Sequence, residues 1–331
     1  MSTSIRVRTG SRLHFGILSW NPDLPRQFGG AGVMIDEPGI ELSLESARER
    51  TASGPLADRA LGFARLLSAD GRPEAPLGGS VRLPPPDRGF HIRVHHAAPE
   101  HVGLGTGTQL ALAVARGVCG GDERRELLPV AAGAQTVGRG KRSAVGVYGF
   151  AHGGFLVEAG KRPADPISPL VARLALPDDW RFVVVIPHAL RGLSGRDEEQ
   201  AFARLPPIAP QVTEHLCRLV LQGLIPAAAQ ADFSGFSESL YEFNRRVGQC
   251  FAPAQGGPYA GAVLAEMIAF LRSHGCPGAG QSSWGPALFA LAPDRGRAEA
   301  TRRSLQQRFS LSDQEVICTP VRNHGAETWP G

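Results

Sequence analysis

Three observations predict an α+β protein built from two domains. Residues 12–17, 40–45 and 90–95 alternate apolar and polar side chains with the period of two that half-buried strands require. A glycine-rich loop at 103–107 runs straight into an apolar, helix-like stretch at 110–115. Beyond residue 176 the order strand, helices, strand, helix, strand fits an α+β unit of the split β-α-β, ferredoxin-like kind. A length of 331 residues with 42% hydrophobic content is enough for two substantial cores.

Taken in order, the first strand places Leu13, Phe15 and Ile17 inward and Arg12, His14 and Gly16 on the opposite face. Ile40, Leu42 and Leu44 repeat the pattern against Glu41, Ser43 and Glu45, and Phe90, Ile92 and Val94 do so against His91, Arg93 and His95. Two more strands are expected around Ala151-His152-Gly153-Gly154, with Val145, Val147, Phe155 and Val157 in the core and one or two helices covering the sheet. Asp165-Pro166 and Pro177-Asp178-Asp179 punctuate the chain and divide it into domains at 1–165 and 176–331. In the second domain a buried strand at 181–186 precedes helices near 210–224, 234–249 and 258–274, then strand 287–292, helix 296–309 and strand 315–321.

Composition narrows the function classes. The formal charge is +4, and all but two of the 35 basic residues are arginine, which suits bidentate recognition of phosphate or carboxylate. The charge is dispersed and only 7% of residues are aromatic, so a nucleic-acid surface of basic residues interleaved with rings is not expected. No stretch approaches the ~20 apolar residues of a membrane span, and the first residues lack the apolar run of a secretion signal, so no membrane is expected and the cytoplasm is. Cys119, Cys217, Cys250, Cys276 and Cys318 are scattered and read as reduced, mostly buried thiols. His91 and His95 share a strand face but lie about 13 Å apart at ~3.3 Å per residue, too far to share one ion.

The loop Gly103-Leu104-Gly105-Thr106-Gly107-Thr108 leads the candidate sites. A glycine-rich loop opening a helix leaves backbone N–H groups unpaired, with the positive end of the helix dipole behind them, and so cradles anions. A tight strand-to-helix turn that merely packs closely is the equal alternative. The Walker and dinucleotide fingerprints both fail here. His101 beside the loop either donates to an anion or faces water. Arg26, Gly29 and Gly30 with Gly32 make either a ligand-approaching turn or a flexible hairpin, the latter favoured on these residues alone. Arg139, Lys141 and Arg142 set three cations among small residues, leaning toward an anion clamp. In 190–199, Arg196 and Glu198 lie where ligand loops commonly sit, Glu198 as a metal candidate, although acids at a helix N-terminus are the commoner explanation. Ser282, Ser283 and Trp284 fall in a small, polar, glycine-rich segment, where a tryptophan is not expected to be ordinary core.

Together these motifs resemble a known superfamily. The stretch from Pro99 through Gly103-Leu104-Gly105 to Gln109 resembles the second motif of the galactokinase, homoserine kinase, mevalonate kinase and phosphomevalonate kinase (GHMP) superfamily, and Gly278-Ala279-Gly280 resembles its third. The departures are consistent: Thr106-Gly107-Thr108-Gln109 replaces the paired serines, and the third motif continues Gln281-Ser282-Ser283-Trp284-Gly285-Pro286. These, with Arg12-Leu13-His14-Phe15-Gly16, Phe28-Gly29-Gly30, Arg142-Ser143, His152-Gly153-Gly154-Phe155 and Gly192-Leu193-Ser194-Gly195, resemble the β-ribofuranosylaminobenzene 5′-phosphate synthase branch.

That resemblance implies a two-domain GHMP fold, a homodimer, Mg²⁺ as cofactor and a place in tetrahydromethanopterin biosynthesis. It implies a reaction joining phosphoribosyl pyrophosphate to a para-substituted benzoate, 4-amino or 4-hydroxy, with release of pyrophosphate and carbon dioxide. The chemistry asks for donors on the leaving pyrophosphate, separate cationic anchors for the 5′-phosphate and the carboxylate, and an apolar slot for the ring. The loop at 103–108 suits the first; Arg12, Arg26, Arg139, Lys141, Arg142 and Arg196 suit the second; Trp284 and Phe28 suit the third. Within this reading His14, Arg26 and Arg142 are the catalytic candidates. An ATP-dependent GHMP kinase is the alternative, distinguished by phosphate transfer from ATP; a non-enzymatic nucleic-acid-binding protein is a second.

Overall fold

The computed structural model describes residues 4–69, 89–119, 134–135, 137–188, 190 and 195–331, with the side chains of 68, 69 and 195–199 left aside. Two sheets carry the architecture. The first has seven strands: β1 (Ile5–Gly16), β2 (Gly30–Ala47), β3 (Thr51–Ser53), β4 (Gly89–His96), β5 (Phe155–Glu158), β6 (Leu170–Leu174) and β11 (Glu327–Pro330). β1 and β2 form its long antiparallel centre, with Leu13 opposite Val33 and Val7 opposite Leu42. The alternation expected at 12–17 holds: Leu13, Phe15 and Ile17 are all buried.

The second sheet takes β7 (Arg181–Val185), β8 (Ala279–Gln281), β9 (Leu288–Ala292) and β10 (Val316–Pro320) in the order β10-β7-β9-β8, every pair antiparallel. With α9 (Arg295–Phe309) between β9 and β10, this is the split β-α-β arrangement expected. The middle strands are buried throughout because helices cover one face and the first domain the other.

On the first sheet lie α1 (Ala57–Ala69), α2 (Thr106–Val118) and α3 (Val145–His152), packed through Leu110, Val114 and Phe63 onto Ile40, Leu42 and Ile92. Strand character was expected around Val145 and Val147, and the chain is helical there instead. Gly149 explains the outcome: a Cβ on it would press into the Met34 side chain, so the glycine lets a helix settle directly on β2. Tertiary contact overrides the β-branched alternation.

After α4 (Gly195–Arg204) come α5 (Pro210–Leu219), a π-helical turn (Val220–Leu224) and α6 (Ile225–Ala229). The long α7 (Phe233–Gln255) is capped by Asp232, whose carboxylate accepts from the Gly235 amide at 3.0 Å; α8 (Ala262–Ser273) follows. Phe15, Phe182, Phe289, Phe236 and Leu240 join one cluster that spans both sheets, so the two domains share a core. The last strand, β11, returns to pair with β1. Of the cysteines, Cys276 alone is buried, Cys217 is exposed and the other three lie between, which corrects the expectation of mostly buried thiols. Among the described residues no helix is long and apolar enough to cross a membrane.

Candidate functional site

A cleft of about 370 Å³ opens between β1, the segment 138–143, α7 and the turn after β8. The polar face of β1 supplies Arg12, His14 and Gly16, as strand periodicity dictates. Arg139, Lys141, Arg142 and Ser143 line the opposite rim, and Asn244, Phe251 and Gln255 come from α7. Ser283 and Trp284 close the cleft from the third motif, Ser283 in a left-handed conformation at φ 58°. Four cations thus face one space, and none of the described lining residues is a carboxylate.

Aromatic rings form one wall. Trp284 lies 4.7 Å from the Phe251 ring centroid and 5.2 Å from that of Phe202, the latter pair edge to face, and the Arg142 guanidinium sits 4.7 Å over Phe202. Trp284 is 8% exposed and belongs to the shared core while also lining the cleft. Phe28 is not part of this wall: its backbone pairs with Ser19, which sets the ring against Trp20 at 5.4 Å, one ring behind Phe202.

The glycine loop lies beside the cleft, next to Arg12 and Arg139 of its lining. Gly105, at φ 72°, precedes α2 and leaves its Cβ direction to Arg12, whose side chain would lie 3.3 Å from a methyl there. The Leu104 carbonyl accepts from the Arg12 amide at 2.9 Å, and the Thr106 hydroxyl donates to Pro99 at 2.7 Å, fastening the loop at both ends. The amides of Thr108 and Gln109 are taken by the Gly105 carbonyl; those of residues 103–107 have no hydrogen-bond acceptor among the described residues.

Facing Gly107 are two guanidiniums, Arg139 and, from α1, Arg59. Both lie over the Phe63 ring, at 5.2 and 5.7 Å, and Arg59 pairs with Glu100. Burial, with Arg59 beside it, pulls the Arg139 pKa down to about 10, and its Nε is buried with no hydrogen-bond partner among the described residues. Two desolvated cations beside uncommitted amides at a helix N-terminus make a site that an anion would relax.

Behind His14 lies a buried carboxylate. Ser143 Oγ donates to Glu158 Oε1 at 2.6 Å, the Ala144 amide donates to Glu158 Oε2 at 2.8 Å, and His14 Nε2 lies 3.0 Å from Ser143 Oγ. Burial, reinforced by the Arg12 charge, drives the His14 pKa well below 6.5, so the ring is neutral at pH 7. Burial raises the Glu158 carboxyl, while the donors around it work in the opposite direction.

The cleft therefore gathers Arg12, His14, Thr108, Arg139, Lys141, Arg142, Ser283 and Trp284 from the sequence candidates. Gly103, Leu104, Gly105, Thr106 and Gly107 stand just beyond its lining. The Ser282 hydroxyl is spent within the protein, accepting from the His14 amide and donating to the Gly103 carbonyl. The structure does not bring Arg26, Gly29 and Gly30 to the cleft. Arg26 binds the Gly160 carbonyl at 2.8 Å and Asp165 at 3.0 Å; the two glycines are required because the backbones of residues 158–160 and Gly16 press against them. The Arg196 and Glu198 side chains, and all of residues 192–194, lie outside the described residues.

Sequence reasoning missed Arg59, Glu158, Phe202 and Asn244 as site residues. Asn244 ties the halves together by donating to the Phe15 and Gln281 carbonyls and accepting from the Gln281 amide. Nothing local marks these four. Only the β2 to β5 pairing brings Glu158 opposite Gly30 and so behind β1.

Residues 224–311 match the family model described as GHMP kinases C terminal. The homoserine kinase of Cytophaga hutchinsonii shares the fold, with a TM-score of 0.63 at 18% identity over 99% of this chain and 98% of that one. Among full-length relatives, the beta-ribofuranosylphenol 5′-phosphate synthase of Methanothermobacter thermautotrophicus is 30% identical over 98% of this chain and 99% of its own. The protein of the same name from Archaeoglobus fulgidus is 30% identical with the same coverage. Full-length identity at that level, on a GHMP fold, places this chain in the beta-ribofuranosylphenol 5′-phosphate synthase family of enzymes.

Proposed function

We propose that this enzyme condenses phosphoribosyl pyrophosphate with a para-substituted benzoate at the ring carbon bearing the carboxylate, releasing pyrophosphate and carbon dioxide. The relatives are named for a phenol product, which favours 4-hydroxybenzoate over 4-aminobenzoate as the acceptor. One observation carries the reading: a single cleft joins four cations, without a described carboxylate among them, to a wall of aromatic rings.

Each part answers a demand of the chemistry. As the bond from C1 to pyrophosphate breaks, charge collects on the leaving oxygens. The free amides of the 103–107 loop, with Arg59 and Arg139, stand ready to receive it without reorganisation. Arg12, Lys141 and Arg142 are placed to hold the 5′-phosphate and the carboxylate apart, fixing C1 against the ring carbon. Trp284, with Phe202 and Phe251 behind it, supplies an apolar face for the ring and keeps water from the cationic C1.

The described residues around the cleft do not fit a protein-held Mg²⁺ ion. None lining it is a carboxylate, Glu158 is engaged by protein donors, and no group of three metal-ligating side chains occurs among the described residues.

Purified protein incubated with phosphoribosyl pyrophosphate, Mg²⁺ and carboxyl-labelled 4-hydroxybenzoate should release labelled carbon dioxide only when all components are present. Phosphate transfer from ATP to a small alcohol, with no decarboxylation, would overturn the reading.

A further inference from the structure

We propose that His14 Nδ1 is the base that takes the proton of the para hydroxyl, and that Ser143 and Glu158 are positioning residues that hold it in that form; this rests on the condensation proposed above. The argument is one of counting protons. A serine hydroxyl has one hydrogen and two lone pairs. The Ser143 hydrogen goes to Glu158 Oε1 at 2.6 Å, and one lone pair accepts from the Val145 amide at 3.3 Å. The other faces His14 Nε2 at 3.0 Å, so Nε2 must carry a hydrogen. A neutral imidazole has only one, which leaves Nδ1 bare and an acceptor.

Glu158 enforces that direction. Ala144 donates to its second oxygen and Ser168 adds a further donor, so the groups around it present hydrogens to a carboxylate. Ser143 cannot turn its own hydrogen toward His14 without stranding a buried acceptor.

The charges facing the imidazole select what Nδ1 can meet. Arg12 lies on the same strand, and Arg139, Lys141 and Arg142 line the rim across from it. The polar side chains from α7 and the third motif, Asn244, Gln255, Gln281 and Ser283, are all neutral. A bare imidazole nitrogen there is an acceptor that matches the hydrogen of a phenol or an aniline, and burial together with the Arg12 charge keeps it unprotonated in the resting site.

The step balances. The O–H bond breaks and its proton moves to Nδ1, while the oxygen pair drives the ring carbon to form a bond with C1. The C1–oxygen bond to pyrophosphate breaks, its electrons leaving on that oxygen. The bond to the carboxylate then breaks, carbon dioxide departs, the electron pair restores the aromatic ring, and the phenolate oxygen recovers the proton from Nδ1.

The test compares wild type with His14→Ala and His14→Gln on 4-hydroxybenzoate and its 3-fluoro and 3,5-difluoro derivatives, whose hydroxyls are progressively more acidic, by carbon dioxide release. The variants should lose about 100-fold or more in kcat on 4-hydroxybenzoate, and that loss should shrink at least about tenfold on the difluoro acid, which ionises unaided. Ser143→Ala should lower kcat with the KM for phosphoribosyl pyrophosphate unchanged, and Ser143→Thr should restore it. Nitrogen NMR of unmutated protein, which needs no folded variant, should find the His14 hydrogen on Nε2 at pH 7. An equal loss along the series, or a hydrogen on Nδ1, overturns the proposal alone. No carbon dioxide from wild type overturns the reaction and this proposal with it.

Discussion

Ser282 donates its hydroxyl hydrogen to the carbonyl of Gly103 across 2.7 Å, and so joins the third motif to the loop that opens α2. The same oxygen accepts from the His14 amide at 3.0 Å, and Ala287 donates to the Val102 carbonyl at 3.0 Å. Strand β1, the glycine loop and the turn after β8 are therefore one hydrogen-bonded unit, although 179 residues separate Gly103 from Ser282. That unit sets the distance between the proposed pyrophosphate site and the ring slot.

Replacing Ser282 with alanine strands a half-buried carbonyl and a buried amide. Unsatisfied buried groups cost about 1–3 kcal/mol, so thermal unfolding should move down by several degrees. Carbon dioxide release should fall further than the lost stability accounts for at a temperature where the variant remains folded. A melting curve superimposable on wild type would remove Ser282 from this role.

Gly105→Val places a β-branched residue at φ 72° and sets its Cβ 3.3 Å from the Arg12 side chain. The left-handed conformation costs about 1–2 kcal/mol, which a shared core of this size tolerates. Turnover should be abolished with the circular dichroism spectrum unchanged. Activity at the wild-type level would exclude the loop from the reaction.

Arg139→Gln removes one of the two guanidiniums facing Gly107 and should weaken inorganic pyrophosphate binding, measured by calorimetry, by about tenfold or more, as loss of a charge-assisted hydrogen bond does. Arg59→Gln should weaken pyrophosphate to a similar degree. Wild-type affinity in both variants would place the pyrophosphate elsewhere.

The buried histidine predicts a pH dependence of stability. Between its lowered folded-state pKa and 6.5, the unfolded chain holds a proton on His14 that the folded chain does not, so stability rises with pH through that window and is lost as pH falls below 6.5. In His14→Gln that contribution to the slope should vanish, as read from urea midpoints between pH 5 and pH 7. An unchanged slope would mean that His14 titrates normally.

Much of the fold was legible. The alternation at 12–17 identified both the core face, Leu13, Phe15 and Ile17, and the face that carries Arg12 and His14 into the cleft. Most helices and strands after residue 181 fall within a few residues of where periodicity put them; α7 runs on to Gln255, and α4, α6 and β8 were not among the elements expected. Less legible were elements whose reason lies elsewhere in the chain. The 145–152 helix depends on Gly149 resting against Met34, and β11 exists because β1 offers it an edge. Glycines 29 and 30, which the family resemblance drew into the site although their own pattern favoured a hairpin, serve backbone packing.

Local pattern by itself determined which residues could share a face and which loop could present amides, because strand and helix periods are set by the backbone of neighbouring residues. It also supplied the arginines and the glycine loop that the proposed chemistry uses. The meeting of those parts was decided only in three dimensions. Arg59 reaches Gly107 from α1, Phe202 and Phe251 converge on Trp284 from two helices, and Glu158 stands behind His14 through the pairing of β5 with β2. Such contacts join residues tens to hundreds of positions apart, and they follow from how two sheets and their helices bury apolar surface together, which no local window of sequence contains.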